Sequence, residues 1–126
     1  MLFRSLPGAL DLIKAWGFEY KTVAFTWIKQ NRKSEGIFLG MGHWTRANAE
    51  VCLLATRGSP SRIAKDVHQV IMSPVRDHSR KPDEAAERIE RLLAGPYLEL
   101  FSRASRPRWT TWGDETPSEG FQAAAE

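Results

Sequence analysis

Tyr20-Lys21-Thr22-Val23-Ala24-Phe25-Thr26-Trp27-Ile28-Lys29 is the stretch on which the fold turns. Val23, Phe25 and Trp27 alternate with Thr22, Ala24 and Thr26, the period of two that sends successive side chains to opposite faces of an extended chain. The β-branched and aromatic content points the same way, so this is a strand. Val51-Cys52-Leu53-Leu54-Ala55-Thr56 is apolar without alternation, the pattern of a strand in a parallel sheet covered on both faces by helices. Val67 to Met72 reads as a weaker strand, and Tyr97-Leu98-Glu99-Leu100-Phe101 as a short core strand behind the Gly95-Pro96 stop.

Helices flank these strands. Leu6, Leu10, Ile13 and Trp16 fall at i, i+4, i+7 and i+10, one stripe of an amphipathic helix with Pro7 in its first turn and Gly17 at its end. A second helix is predicted from Pro82 to about Ala94. Ala85, Ile89, Leu92 and Leu93 form its buried face, and Glu84–Arg88 and Glu87–Arg91 are spaced for i,i+4 pairs on the wet side. The alternation argues for an α/β domain with a mostly parallel sheet. The inventory is thin for a doubly wound fold, because no strand precedes the first helix.

With 126 residues the chain has the size of one compact domain. Residues 1–115 are expected to form it, and 116–126, small, polar or acidic, are expected to be a disordered tail. The net charge of +3 gives weak attraction to polyanions and no specificity. Hydrophobic residues at 42% and charged residues at 26% exclude a collagen, a mucin-like stalk or wholesale disorder. The single cysteine, Cys52, excludes an intramolecular disulfide and a cysteine-based zinc cluster. Nothing approaches the run of ~18 apolar residues needed to span a bilayer, and the start is too short in apolar residues for a signal peptide. The expectation is a cytoplasmic chain with no metal and no membrane association.

Three segments are candidates for chemistry. Gln30 to Glu50 lacks periodicity and carries Gly36, Gly40 and Gly42, which makes it a long loop: a functional lid or substrate loop, or an irregular segment hiding a short strand. Lys81 precedes Pro82 at the start of the second helix, where a Ser, Thr or Asp would be the stabilising cap. A lysine beside free backbone N–H groups can hold a carboxylate or phosphate; Asp83 and Glu84 weaken that field, Ser79 can cap an earlier start, and a solvated basic turn is the plainer alternative. Arg103, Arg106 and Arg108 lead into Trp109-Thr110-Thr111-Trp112-Gly113, either a binding edge beyond a strand or a pair of core tryptophans ringed by solvated arginines. Gly40-Met41-Gly42 is no dinucleotide fingerprint, and H-E-x-x-H, G-x-S-x-G and Walker signatures are absent from the sequence.

Gly42-His43-Trp44, Glu50 to Gly58, His78-Ser79-Arg80-Lys81-Pro82-Asp83-Glu84, Leu98 to Arg103 and Trp109-Thr110-Thr111-Trp112-Gly113 occur in that order. Together, over about Leu6 to Glu115, these five blocks closely resemble the MT-A adenine N-6 methyltransferases, named after the seventy-kilodalton subunit of the mRNA enzyme. The bacterial and phage DNA-modifying members look nearer than the eukaryotic RNA ones. The resemblance implies a Rossmann-like methyltransferase fold, S-adenosylmethionine as cofactor, and methyl transfer to the exocyclic amine of adenine, in DNA more than in RNA. By the same resemblance Lys81 holds the methionine end of the cofactor and Arg103 its ribose, with Asp114 and Glu115 nearby. Glu50 lies on the target-adenine side, and the long loop with His43 and Trp44 walls the adenine pocket.

One departure matters most. Members of the family carry a D-P-P-W motif on a strand upstream of the first helix, and these 126 residues contain none. The amino group of adenine is a poor nucleophile because its lone pair is delocalised into the ring. The motif's carboxylate and carbonyl accept its N–H bonds and aim it at the methyl. The fold expected is therefore an incomplete Rossmann-like sheet with flanking helices, without a catalytic residue of its own, inactive alone and in need of a companion chain or a missing N-terminal segment. The alternatives are a non-catalytic partner or nucleic-acid-binding subunit and a truncated reading frame.

Overall fold

The computed structural model describes residues 5–77 and 80–115. The chain divides into two compact units, one ending at Leu93 and one starting at Ala94. Ser79 and the 116–126 tail lie outside the described residues.

The first unit opens with helix α1, Leu6–Ala15. Ser5 caps it, its hydroxyl accepting from Gly8 N at 3.4 Å, and Pro7 occupies the first turn. Its end is closed by Phe18 N donating to Ile13 O and Gly17 N to Lys14 O, both at 3.0 Å. This double closure needs the left-handed backbone of Gly17, φ +78. The expected apolar stripe is there but not covered: Leu6, Leu10 and Trp16 are exposed and Ala9 is the buried residue. The main packing partner of α1 is strand β1, Glu19–Gln30, which is too narrow a surface to cover a full helical face.

β1 is the centre of a three-stranded sheet of order β2-β1-β3, where β2 is Glu50–Thr56 and β3 is Val70–Pro74. β2 runs antiparallel to β1, pairing Trp27 with Glu50 and Thr26 with Val51, and β3 runs parallel to it, pairing Trp27 with Ile71. The sheet is thus mixed rather than mostly parallel. An apolar run reports burial and not direction, and here the long connection after Gln30 turns the chain back beside β1. Every residue of β2 is half-buried, so it is not the fully covered central strand that its composition predicts. The third strand begins at Val70, with Ile71 and Ser73 inward and Val70, Met72 and Pro74 outward. The Val67 to Met72 expectation therefore starts three residues early.

Helix α2, Asp83–Leu92, covers the Phe25–Trp27–Ile71 cluster with Ala85 and Ile89, one turn apart. Cys52 and Val67 pack on the same cluster. Burying a side chain such as Phe25 or Ile71 contributes about 1.5–3 kcal/mol, so these three residues dominate the stability of the unit. Trp27 keeps its indole N–H satisfied by donating to Ser73 O at 2.8 Å. The anticipated i,i+4 pairs on α2 give way to longer-range contacts. Arg88 donates to His68 O and Val70 O, both at 2.7 Å, and Arg91 pairs with Asp66 at 3.0 Å. Fixed carbonyls offer charge-assisted bonds that a flexible surface pair does not match.

The second unit is built on a parallel pair, β4, Tyr97–Leu100, and β5, Trp109–Trp112. Tyr97 stands opposite Trp109 in register and stacks on it with ring centroids 4.9 Å apart. The W-x-x-W stretch is therefore a strand. Gly113 follows because a Cβ there would overlap the backbone of Ser102.

Candidate functional site

The site in the first unit follows from register. Directly opposed residues on antiparallel strands share a face, and so do residues two apart on one strand. Glu50 stands opposite Trp27, and Lys29 lies two residues beyond Trp27, so all three belong to one face. Lys81 joins them from the segment just before α2. Glu50 Oε1 is 2.6 Å from Lys29 Nζ and Glu50 Oε2 is 2.7 Å from Lys81 Nζ. Both ammonium groups lie over the Trp27 ring, at 5.4 and 5.6 Å from its centroid. The carboxylate is 19% exposed, against 20% for Lys29 and 38% for Lys81.

Lys81 does not cap the helix. The cap position is Pro82, whose side chain makes no capping bond, and Asp83 and Glu84 supply the negative charge that the first turn favours. Lys81 instead pairs with a side chain of the same unit, the carboxylate of Glu50. Lys81 and Glu50, assigned by resemblance to different ligands, are in contact.

Asn48 fixes the approach to this cluster. Its Oδ1 accepts from Lys29 N at 3.1 Å, its Nδ2 donates to Lys29 O at 2.8 Å, and Nδ2 also donates to Phe38 O. The side chain thus continues the β1–β2 ladder by two residues, using an amide where a backbone pair would stand. Neither Lys29 nor Asn48 emerges from the sequence reading. The signal for Lys29 is present, since a charged residue on the core-facing phase of an alternating strand needs a partner.

Between Gln30 and Glu50 the chain is irregular apart from an isolated bridge between Gln30 and Ile37. Its tip is closed by Gly40 N donating to Ala47 O at 2.7 Å and by the Arg46 guanidinium, which donates to Gly40 O and Leu39 O. Gly42 is required there, because any Cβ would overlap Thr45 O. The tip presents Met41, His43 and Trp44 to solvent, Trp44 at 99% exposure.

Arg103, Asp114 and Glu115 belong to the second unit. Arg103 Nε is 3.7 Å from Glu115 Oε2, and Asp114 is exposed beside it. The structure thus brings Arg103 and Glu115 together, as it does Lys81 and Glu50. Of the two tryptophans, Trp109 is buried under Arg106, whose guanidinium lies 6.0 Å from its ring centroid, whereas Trp112 is partly exposed and meets Phe101 edge-on at 5.4 Å. Core plug and exposed edge are both present, one on each tryptophan. Among the described residues no cluster of His, Cys, Asp and Glu could hold a metal ion, and no helix is long and apolar enough to cross a membrane.

Among the described residues, one mixed three-stranded sheet, one parallel pair and two helices make an α/β chain, with two lysines paired to a strand-borne glutamate on one sheet face. The chain belongs to the MT-A70 family, whose profile matches residues 6–115. It is similar to the N(6)-adenosine-methyltransferase MT-A70-like protein of Drosophila melanogaster, with 35% identity over 117 residues, 89% of this chain and 19% of the relative. The human N(6)-adenosine-methyltransferase catalytic subunit METTL3 is 33% identical over 117 residues, again 89% of this chain, and 20% of that protein. The type II methyltransferase M.MunI of Mycoplasma sp is 34% identical over 115 residues, 89% of this chain and 46% of its own length. The chain thus spans about a fifth of the adenosine methyltransferases and under half of the type II enzyme.

Proposed function

We propose that this chain supplies the cofactor-holding part of a cytoplasmic, S-adenosylmethionine-dependent adenine N-6 methyltransferase acting on nucleic acid, DNA in preference to RNA. The observation that carries the reading is the 2.7 Å contact of Lys81 Nζ with a carboxylate oxygen of Glu50. The ammonium already takes a carboxylate, the group that the methionine end of the cofactor offers, so the residues present fit it. Arg103, Asp114 and Glu115 are assigned to the ribose by family resemblance alone; its hydroxyls suit an acidic acceptor as well as a guanidinium donor.

Bound, S-adenosylmethionine supplies an electrophilic methyl group on a sulfonium. The protein's part is to hold and aim. Glu50, on the acceptor side, would offer the adenine amine the one carboxylate oxygen that Lys81 gives up when it turns to the cofactor, and the tip residues His43 and Trp44 would wall the base. Positioning of this kind lowers the barrier by fixing the approach before reaction. Without a D-P-P-W segment the second set of acceptors for that amine is missing from these 126 residues, and turnover by them alone is not expected. A companion chain or additional segment bearing that motif would complete the site.

Calorimetry with S-adenosylmethionine tests the first half: the chain should take up the cofactor, and Lys81→Met should weaken uptake about tenfold or more, as for loss of a charge-assisted contact. Transfer of labelled methyl to adenine-containing DNA and RNA tests the second. Transfer should appear only when a polypeptide carrying D-P-P-W is added. Robust turnover by the isolated chain, or the absence of cofactor uptake, would overturn the proposal.

A further inference from the structure

Glu50 faces two lysines that are held in different ways. Lys29 lies inside β1 with its backbone N–H and C=O both bonded by the Asn48 side chain. Lys81 lies in the irregular segment before α2, and its side chain is about twice as exposed, 38% against 20%. The strand lysine is the more buried of the two, and the segment lysine the more accessible to a ligand. We infer that Lys29 is a positioning residue: it anchors Glu50 so that Lys81 can exchange the glutamate carboxylate for that of the cofactor. The inference rests on the reading of Lys81 as the cofactor's carboxylate partner and adds to it a coupling between the two sides of the site.

The physics is a balance of counter-charges. When a ligand carboxylate takes Lys81, Glu50 loses one of two partners, and a half-buried carboxylate left with none is strongly disfavoured. Lys29 at 2.6 Å keeps it paired. The two ammonium groups also share one carboxylate and lie 5.4 and 5.6 Å from the centroid of one indole ring, so their mutual repulsion falls when Lys81 turns away. Exchange therefore trades carboxylate for carboxylate on Lys81 and leaves Glu50 on Lys29, with its second oxygen released to accept an N–H bond.

The two partners of the exchange then have opposite signs. Glu50→Gln removes the competitor for Lys81 and should tighten S-adenosylmethionine binding about three- to tenfold. Lys29→Met leaves Glu50 dependent on Lys81 and should weaken it by about the same factor, with Lys29→Arg restoring it. Isothermal titration of the 126-residue chain measures both, with far-UV circular dichroism checking that each variant folds. Decarboxylated S-adenosylmethionine, which lacks the competing carboxylate, serves as the second ligand, and its affinity should be indifferent to either substitution. Shifts of the same sign for both variants, equal shifts for both ligands, or no shift would overturn the role of Lys29. If Lys81→Met abolishes binding while Glu50→Gln and Lys29→Met leave it unchanged, the inference fails and the cofactor reading stands. If Lys81→Met has no effect, or the wild-type chain binds no S-adenosylmethionine, the cofactor reading fails and takes the inference with it.

Discussion

Single side chains in this protein carry consequences out of proportion to their number, because the cores are small. Thr111, on β5, is among the most deeply buried residues, and its hydroxyl has no hydrogen-bond partner among the described residues. A buried hydroxyl without a partner costs about 1–3 kcal/mol, and valine has nearly the same shape without that cost. Thr111→Val should therefore stabilise the second unit by about 1 kcal/mol, seen as a higher midpoint in urea denaturation followed by hydrogen exchange at the β4 and β5 amides. A drop in the midpoint would show that the hydroxyl is bonded after all. Residue-scale reading of the sequence does well where a residue's chemistry is local: Gly17 at the close of α1 and Pro7 in its first turn stand where expected. It does less well where chemistry is distant. The partner of Glu50 at Lys81 is 31 positions away, and only the β1–β2 register and the placement of α2 bring them together.

At the scale of elements, the decisive feature is how the chain returns from Gln30 to Glu50. The alternation of Tyr20 to Lys29 made β1 legible, and the lack of periodicity after it correctly marked an irregular connection. The direction of β2 was not legible, because an unbroken apolar run looks alike in parallel and antiparallel neighbours. Side-chain chemistry joins the backbone in holding the return: Asn48 bonds both backbone groups of Lys29 and reaches Phe38 O, fastening both arms of the loop. Asn48→Ala removes all three contacts and leaves the Lys29 amide without its acceptor. The expected loss is about 1–3 kcal/mol, with faster hydrogen exchange at Lys29 and easier proteolysis between residues 31 and 47. Unchanged protection of the Lys29 amide would mean that the backbone ladder, not Asn48, holds the return.

Over the whole chain, the balance of buried and exposed apolar surface shows how thinly the expected incomplete sheet is covered among the described residues, which form a mixed three-stranded sheet and a parallel pair. Family membership was readable from five ordered motif blocks, but ordered blocks report neither strand direction nor the number of layers around a sheet. The three-stranded sheet has α2 on its Phe25–Trp27–Ile71 side, while Val70 and Met72 of β3 stand exposed, as does most of the stripe on α1. β3 is also an edge strand, and an edge that is apolar on one side invites pairing between copies. Two neighbouring residues on β3 separate the roles of its faces. Ile71 is 1% exposed, and Ile71→Ala should cost about 2–5 kcal/mol through lost burial and the cavity left behind. Met72 is 60% exposed, and Met72→Lys should change stability by no more than about 0.5 kcal/mol while placing a charge on the edge. Light scattering across a concentration series should then show less self-association for Met72→Lys than for the wild type, at an unchanged denaturation midpoint. Equal destabilisation by the two substitutions would mean that Met72 is covered in solution, and that the open face of β3 is already occupied by a second copy.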